Sequence, residues 1–162
     1  MNEKIALYPG SFDPPTFGHL DLIDRAVKIF HRVTVAVAKN DEKSAFFTVD
    51  ERVAMLETLT LDMANVTVTA FAGLTADFAR RSNANVLVRG LRVVSDFEFE
   101  MTMAMTNQKL NADVDTVILM PSERFLFISS RLVRDIASHG GALAEFVPPH
   151  VEECLRKKFS QD

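Results

Sequence analysis

The sequence predicts an α/β fold: a single domain over residues 1–162 built on a doubly wound, Rossmann-like parallel sheet of five strands. Three observations lead there. Five short runs rich in β-branched residues alternate with stretches whose apolar residues recur at helical spacing. Connections between them are short, so each crossover must pass through a helix and return along one face of the sheet. One run, Val33-Thr34-Val35-Ala36-Val37-Ala38, is apolar almost without interruption, as expected of a strand covered on both faces.

Taken in order, Ile5-Ala6-Leu7 opens the first strand, and Leu20, Ile23, Ala26, Val27 and Phe30 mark the first amphipathic helix. Between them lies Tyr8-Pro9-Gly10-Ser11-Phe12-Asp13-Pro14-Pro15-Thr16-Phe17-Gly18-His19. A strand-to-helix turn is where α/β proteins hold phosphates, since free N–H groups and the positive end of the helix dipole face outward there. Gly10 and Gly18 would let backbone approach a ligand, while Pro9, Pro14 and Pro15 restrict the turn.

Val33–Ala38 is the second strand, followed by a polar loop from Lys39 to Ser44. Thr48-Val49-Asp50-Glu51 reads as a capping box for a helix burying Val53, Leu56 and Leu59. Val66–Phe71 is the third strand; Gly73 breaks it, and Thr75 is placed to cap a short helix carrying Phe78 and Ala79. Val86-Leu87-Val88 is the fourth, ending at Arg89-Gly90-Leu91-Arg92. Ser95-Asp96-Phe97-Glu98 then reads as a second capping box, opening a long helix through Met101, Ala104 and Met105 toward Leu110. Thr116–Met120 is the fifth strand, stopped by Pro121. Ser129-Ser130 enters a helix with Leu132, Val133 and Ile136 inward, and Pro148-Pro149 starts a last one with Val151, Leu155 and Phe159.

Composition narrows the function. A net charge of -4 disfavours a general binder of nucleic acid or anionic membrane, which needs a basic face. The single cysteine, Cys154, excludes an internal disulfide and fits a reducing cytoplasm. Met1-Asn2-Glu3-Lys4 leads directly into a strand rather than a signal-type apolar core, and no apolar run approaches the roughly 20 residues needed to span a bilayer. The expectation is a cytoplasmic protein.

Candidate polar residues fall just after strand carboxyl ends: Ser11 and His19 after the first, Lys43 after the second, Arg89 and Arg92 after the fourth, Ser129 and Ser130 after the fifth. They converge on one sheet edge. There is no Walker A loop, no GxGxxG, no metal-type His/Cys spacing and no GxSxG elbow. A phosphate ligand must therefore be gripped by helix termini and cationic side chains. Arg89 directly ends an apolar strand and should meet either a carboxylate or a ligand phosphate. Lys43 taken alone reads as a solvated loop lysine. Met101, Met103 and Met105 suit a channel wall, a core or a subunit contact equally. Arg156-Lys157-Lys158 reads as a solvated helix end, and His31, His139, His150 and Cys154 carry no assigned role.

Gly10-Ser11-Phe12-Asp13-Pro14 followed by Thr16-Phe17-Gly18-His19 resembles the signature of the nucleotidyltransferase superfamily, and its T-x-G-H form in a chain of this length is similar to the bacterial phosphopantetheine adenylyltransferase family. That resemblance implies strand order 3-2-1-4-5, with the site at the switch point beyond strands one and four. It implies transfer of AMP from ATP to 4'-phosphopantetheine, giving dephospho-coenzyme A and pyrophosphate by in-line attack without a covalent intermediate. His19, Ser11, Lys43 and Arg92 would carry the catalysis. The resemblance places Ser11, Lys43, Thr75 and Arg89 on phosphopantetheine. On ATP it places Ser11, Phe12, Thr16, His19, Gly90, Leu91, Arg92, Glu100 and the run Phe125-Leu126-Phe127-Ile128-Ser129-Ser130-Arg131. Phe99, Phe125 and Arg131 depart from commoner family residues. The resemblance further implies Mg2+ carried on the ATP phosphates with no protein-held metal, a homohexamer, and feedback inhibition by coenzyme A. A nicotinate mononucleotide adenylyltransferase or cytidylyltransferase, and a non-catalytic nucleotide-binding module, are the competing readings.

Overall fold

The computed structural model describes residues 3–39 and 45–160. Within them β1 (Ile5–Gly10), β2 (Arg32–Ala38), β3 (Val66–Phe71), β4 (Val86–Gly90) and β5 (Asp115–Leu119) form one all-parallel sheet in the order β3-β2-β1-β4-β5. The order of strands and their parallel pairing are those expected. Helices α1 (Phe17–Ile29) and α2 (Val49–Leu59) pack Leu22, Ile23, Ala26 and Leu56 against Ala6, Tyr8, Val33, Val35 and Val37. Helix α3 (Thr75–Arg81) lies over the opposite face, where Ala79 joins Leu7, Ala36 and Leu87, and packs against α4 (Val94–Leu110). Helices α5 (Ser130–Ser138) and α6 (Pro149–Phe159) build a further apolar cluster around Val133, Leu143, Val151 and Leu155, joined by Phe47 and Met55 of the α2 side.

The switch point opens because β1 and β4 part early. β1 pairs with β2 along its whole length, from Ile5 to Gly10, but with β4 only at Ala6 and Leu7. Proline explains the break. Pro9 has no N–H to donate, so the pairing with β4 ends before it while that with β2 runs on. Its carbonyl is instead taken by a side chain, the Arg89 guanidinium at 2.6 Å. Beyond that point the two strand ends splay, and Gly90 sits so close to α1 that a Cβ there would lie 2.4 Å from Cδ1 of Leu22.

Cap chemistry fixed two helix starts and was misleading at two others. Thr48 and Glu51 form the expected reciprocal box, and Ser129 Oγ accepts from the Leu132 amide at 3.1 Å. The first turn adds a box of its own, with Thr16 as N-cap and His19 at N3. Thr75, by contrast, is already the first helical residue of α3, whose N-cap is Leu74 with no side-chain bond. Ser95 likewise lies inside α4, whose N-cap is Val93. Asp96, in the first turn, reaches back instead: its carboxylate accepts from the Arg92 amide at 3.2 Å. The single 3-10 turn Glu123–Phe125 after β5 had no clear periodic signal.

Candidate active site

Two cavities meet at the splayed strand ends, one on each face of the sheet. The first, of about 400 Å³, lies on the α1 side and is lined by Ser11, Phe12, Thr16, His19, Arg89, Gly90, Arg92, Glu100, Ile128, Ser129 and Ser130. The second, of about 540 Å³, lies on the α4 side and includes Ser11, Thr75, Arg89, Met103 and Asn107. Pro9, Gly10, Ser11, Arg89 and Phe99 border both. Volumes of this size suit small-molecule substrates. Leu91, Phe125, Leu126, Phe127 and Arg131, all expected on the nucleotide, do not line the first cavity. Phe125 and Phe127 border a separate depression against Phe17 and Leu20, and Arg131 another beside Phe46. Lys43 lies outside the described residues.

His19 is held in one tautomer by its own helix cap. The Thr16 N–H donates to Nδ1 of His19 at 3.0 Å, while the His19 N–H donates to Thr16 Oγ1 at 3.4 Å. A backbone N–H can only donate, so Nδ1 is an acceptor and the neutral ring carries its proton on Nε2. Burial, then the positive charges of Arg92 and Arg89, lower its pKa to about 4. The ring is therefore a neutral Nε2–H donor across the physiological range. Phe12 buttresses it edge-on at 5.0 Å and is itself held edge-on by Tyr8 at 5.2 Å. Phe12 is only 1% exposed and adopts the left-handed φ of 47°, strained for a bulky residue and tolerated because its ring is locked in the core.

Arg89 finds the carboxylate that its position demanded. Nε and Nη2 donate to the two oxygens of Glu100 at 2.8 and 2.7 Å, and Nη1 to Pro9, so three of its five N–H groups are taken. Burial alone would lower the guanidinium's pKa; the hydrogen bonds and charge of Glu100 overcome that and raise it. Arg92 reaches across the first cavity, with Nε on Asp96 at 3.3 Å and Nη1 on the Ile128 carbonyl at 3.2 Å, linking the end of β4 to the start of α5.

The two serines take different roles. Ser130 donates its hydroxyl to the Pro14 carbonyl at 2.7 Å. Ser129 caps through its oxygen, which leaves its O–H to donate to a ligand. Residues outside the expected set also support the site. Asp13, from the signature turn, accepts from the amides of Phe46 and Phe47 at 2.9 and 2.8 Å and fastens the entry of α2 to the turn. Asp21, two residues past His19, accepts from the Ser122 amide and hydroxyl at 2.8 and 2.6 Å, holding Pro121 at the cavity wall. Tyr8 places its buried ring on the cavity floor, and burial pushes its phenol above the usual value, so it stays protonated. The alternation of β1 could have flagged Tyr8, because Ala6 and Tyr8 share a face. Asp13 and Asp21 act across loops and leave no periodic trace.

A family profile described as cytidylyltransferase-like matches residues 7–136, which takes in the signature turn, Arg89, Arg92, Glu100 and both serines. The chain belongs to this family. Among cytidylyltransferase-like relatives, the phosphopantetheine adenylyltransferase of Moorella thermoacetica is 51% identical over 156 residues, covering 96% of this chain and 98% of that protein. The phosphopantetheine adenylyltransferase of Desulforudis audaxviator is also 51% identical, covering 96% of each. A crystal structure from Vibrio parahaemolyticus, described as a nicotinate-nucleotide adenylyltransferase, superimposes with a TM-score of 0.74 over 99% of this chain and 97% of that one. At 17% identity it shows the shared fold alone.

Proposed function

We propose that this chain transfers the AMP of ATP to 4'-phosphopantetheine, forming dephospho-coenzyme A and pyrophosphate, as its relatives' name describes. The observation that carries the reading is the pair of cavities on opposite faces of the sheet, opening onto a common border at Ser11 and Arg89. One has two helix N-termini, His19 and Arg92, as a triphosphate needs; the other has Thr75, Met103 and Asn107, mixed polar and apolar as a pantetheine arm needs.

In this reaction an oxygen of the acceptor's phosphate attacks the α-phosphorus of ATP, the bond to the α–β bridging oxygen breaks, and pyrophosphate leaves with the electron pair. The acceptor is largely dianionic near neutral pH, so no base is required. The protein aligns two polyanions and stabilises charge. Nε2–H of His19 donates to the α-phosphate as its charge rises, with Thr16 fixing the ring; Arg92 and the free hydroxyl of Ser129 serve the leaving phosphates. Phe12, Gly90, Glu100, Ile128 and Ser130 complete the nucleotide side in this proposal, with Leu91, Phe125, Leu126, Phe127 and Arg131 outside the cavity lining, and Ser11, Lys43, Thr75 and Arg89 form the acceptor side. Among the described residues no three His, Cys, Asp or Glu side chains gather in a metal-binding group. Magnesium enters the proposal as part of the ATP substrate.

The proposal includes a cytoplasmic homohexamer inhibited by coenzyme A at the acceptor cavity. No helix among the described residues is long and apolar enough to cross a membrane. Phe97, Phe99, Met101 and Met105 stand exposed along α4, an apolar surface that suits contact with another copy. The deciding experiment is pyrophosphate release with ATP, magnesium and 4'-phosphopantetheine, run beside nicotinate mononucleotide and cytidylyltransferase acceptors. Release that requires phosphopantetheine is expected; release with another acceptor instead, or with none, overturns the proposal.

A further inference from the structure

Arg52 is the most deeply buried cation among the described residues, at 3% exposure, yet no functional signal in the sequence marks it. Each hydrogen-bond partner of its guanidinium there is an uncharged carbonyl. Nη1 donates to Ser11 at 2.6 Å and reaches Ala38 at 3.4 Å; Nε is shared between Phe47 at 3.2 Å and Thr48 at 3.3 Å. One side chain thus ties the signature turn to the end of β2 and the start of α2. Arg52 also lines the α4-side cavity beside Ser11 and Arg89.

Its charge differs in standing from that of its neighbours. Arg89 is matched by both oxygens of Glu100. Arg134 lies 3.6 Å from the Asp13 carboxylate, which also accepts from two amides. Among the described residues Arg52 forms no ion pair, and burial lowers its pKa, only partly offset by Asp13. Hydrogen bonds to carbonyls orient a guanidinium without cancelling its charge, and a buried charge without a counterion is costly to keep. An arriving dianion would complete it.

We propose that Arg52 is a positioning residue of the acceptor side: it fixes Ser11 through the carbonyl and supplies the positive charge that selects a phosphorylated acceptor. This inference rests on the acceptor assignment above. The test compares binding of 4'-phosphopantetheine with that of pantetheine, which lacks only the phosphate, in wild type, Arg52→Gln and Arg52→Lys. Glutamine keeps an N–H donor for the carbonyls and loses the charge; lysine keeps the charge and loses the fork.

The wild type should prefer the phosphorylated ligand. Arg52→Gln should lose roughly 10- to 100-fold of that preference, the scale of a hydrogen bond to a charged group, with ATP affinity unchanged. Arg52→Lys should retain most of it. If Arg52→Gln weakens both ligands equally, or keeps the preference, Arg52 is merely structural and the inference falls. Should the glutamine variant not fold, Arg52→Lys decides alone: a lost preference despite a retained charge overturns the inference, a kept one supports it. A wild type indifferent to the phosphate would overturn the acceptor assignment itself, a distinguishable result.

Discussion

The N–H of Thr16 donates to Nδ1 of His19 at 3.0 Å, so a helix cap and the tautomer of the ring are set by one hydrogen bond. Removing the Nε2 donor should lower kcat by about 10²–10³, the usual loss for one such donor, while ATP binding changes little. His19→Ala measured by steady-state kinetics and by equilibrium ATP binding separates the two effects. An equal loss in both would show that His19 serves binding rather than the rate.

The burial of the same ring makes a pH prediction. In the unfolded chain His19 takes a proton near its ordinary value of 6.5, in the folded chain only near 4. The unfolded state thus binds more protons between these values, and acid favours it. His19's contribution to stability should be complete above about pH 6.5 and decline toward pH 4, by at most about 3 kcal/mol. Urea unfolding at pH 7 and pH 4.5 should show a smaller loss for His19→Gln than for wild type. Parallel losses would mean that the folded ring titrates normally.

Arg89 and Glu100 should be far more costly to separate than to replace together. Glu100's side chain is 8% exposed, and removing one partner leaves the other buried and unmatched, a loss of about 3–5 kcal/mol by analogy with buried pairs. Arg89 is 29% exposed, so losing Glu100, which leaves Arg89 unmatched, should fall toward the lower end. Glu100→Gln and Arg89→Met should each destabilise strongly in urea, with the double variant well short of their sum. Additive losses would show that the two-pronged pair contributes no coupling.

What the sequence made legible follows from what periodicity can encode. The run Val33–Ala38 matches β2 to within a residue because burial on both faces leaves little room for polar side chains, and Val66–Phe71 matches the half-exposed edge strand β3 through its alternation of valine and threonine. Ser11, His19, Arg89, Arg92 and Ser129 were recognisable by their place at strand carboxyl ends, and they do gather there. Contacts between distant segments were not. Arg52 reaches Ser11 across 41 positions, and Ser130 reaches Pro14 across 116. Such contacts depend on the folded route of the backbone and on no local pattern. Ser95 shows the opposite failure: a capping-box spacing to Glu98 was present, but the helix already starts at Val94, so Ser95 lies inside it and no side chain caps its start.

Ser129 and Ser130 should be distinguishable by truncation. Ser129→Ala removes an N-cap, about 1 kcal/mol of stability, together with the hydroxyl left to donate to a phosphate. It should raise the KM for ATP. Ser130→Ala removes the tie from α5 to the Pro14 carbonyl and should act mainly on thermal stability. Kinetics and melting of both variants check this; an ATP defect confined to Ser130→Ala would reverse the roles.

The two substrates should also separate by cation. Lys43→Ala should raise the KM for 4'-phosphopantetheine with little change for ATP, and Arg92→Ala should do the reverse, because Arg92 bridges Asp96 and the Ile128 carbonyl within the first cavity. Steady-state titration of each substrate against both variants tests the division. Equal effects of either change on both substrates would refute it.

Gly90 carries the last prediction, because its glycine is required by packing before any ligand is considered. A Cβ there would sit 2.4 Å from Leu22 Cδ1, and Leu22 is only 4% exposed, so the leucine has little room to turn aside. Overpacking of this kind costs about 1–3 kcal/mol. Gly90→Ala should therefore lower the unfolding midpoint and displace α1, which carries His19, so kcat should fall with it. Leu22→Ala leaves a cavity by itself but opens space for the new methyl group. The double variant should consequently be more stable than the sum of the single losses predicts, and should recover part of the lost kcat. A double variant with additive losses would place the role of Gly90 at the ligand instead, with the α1 contact incidental.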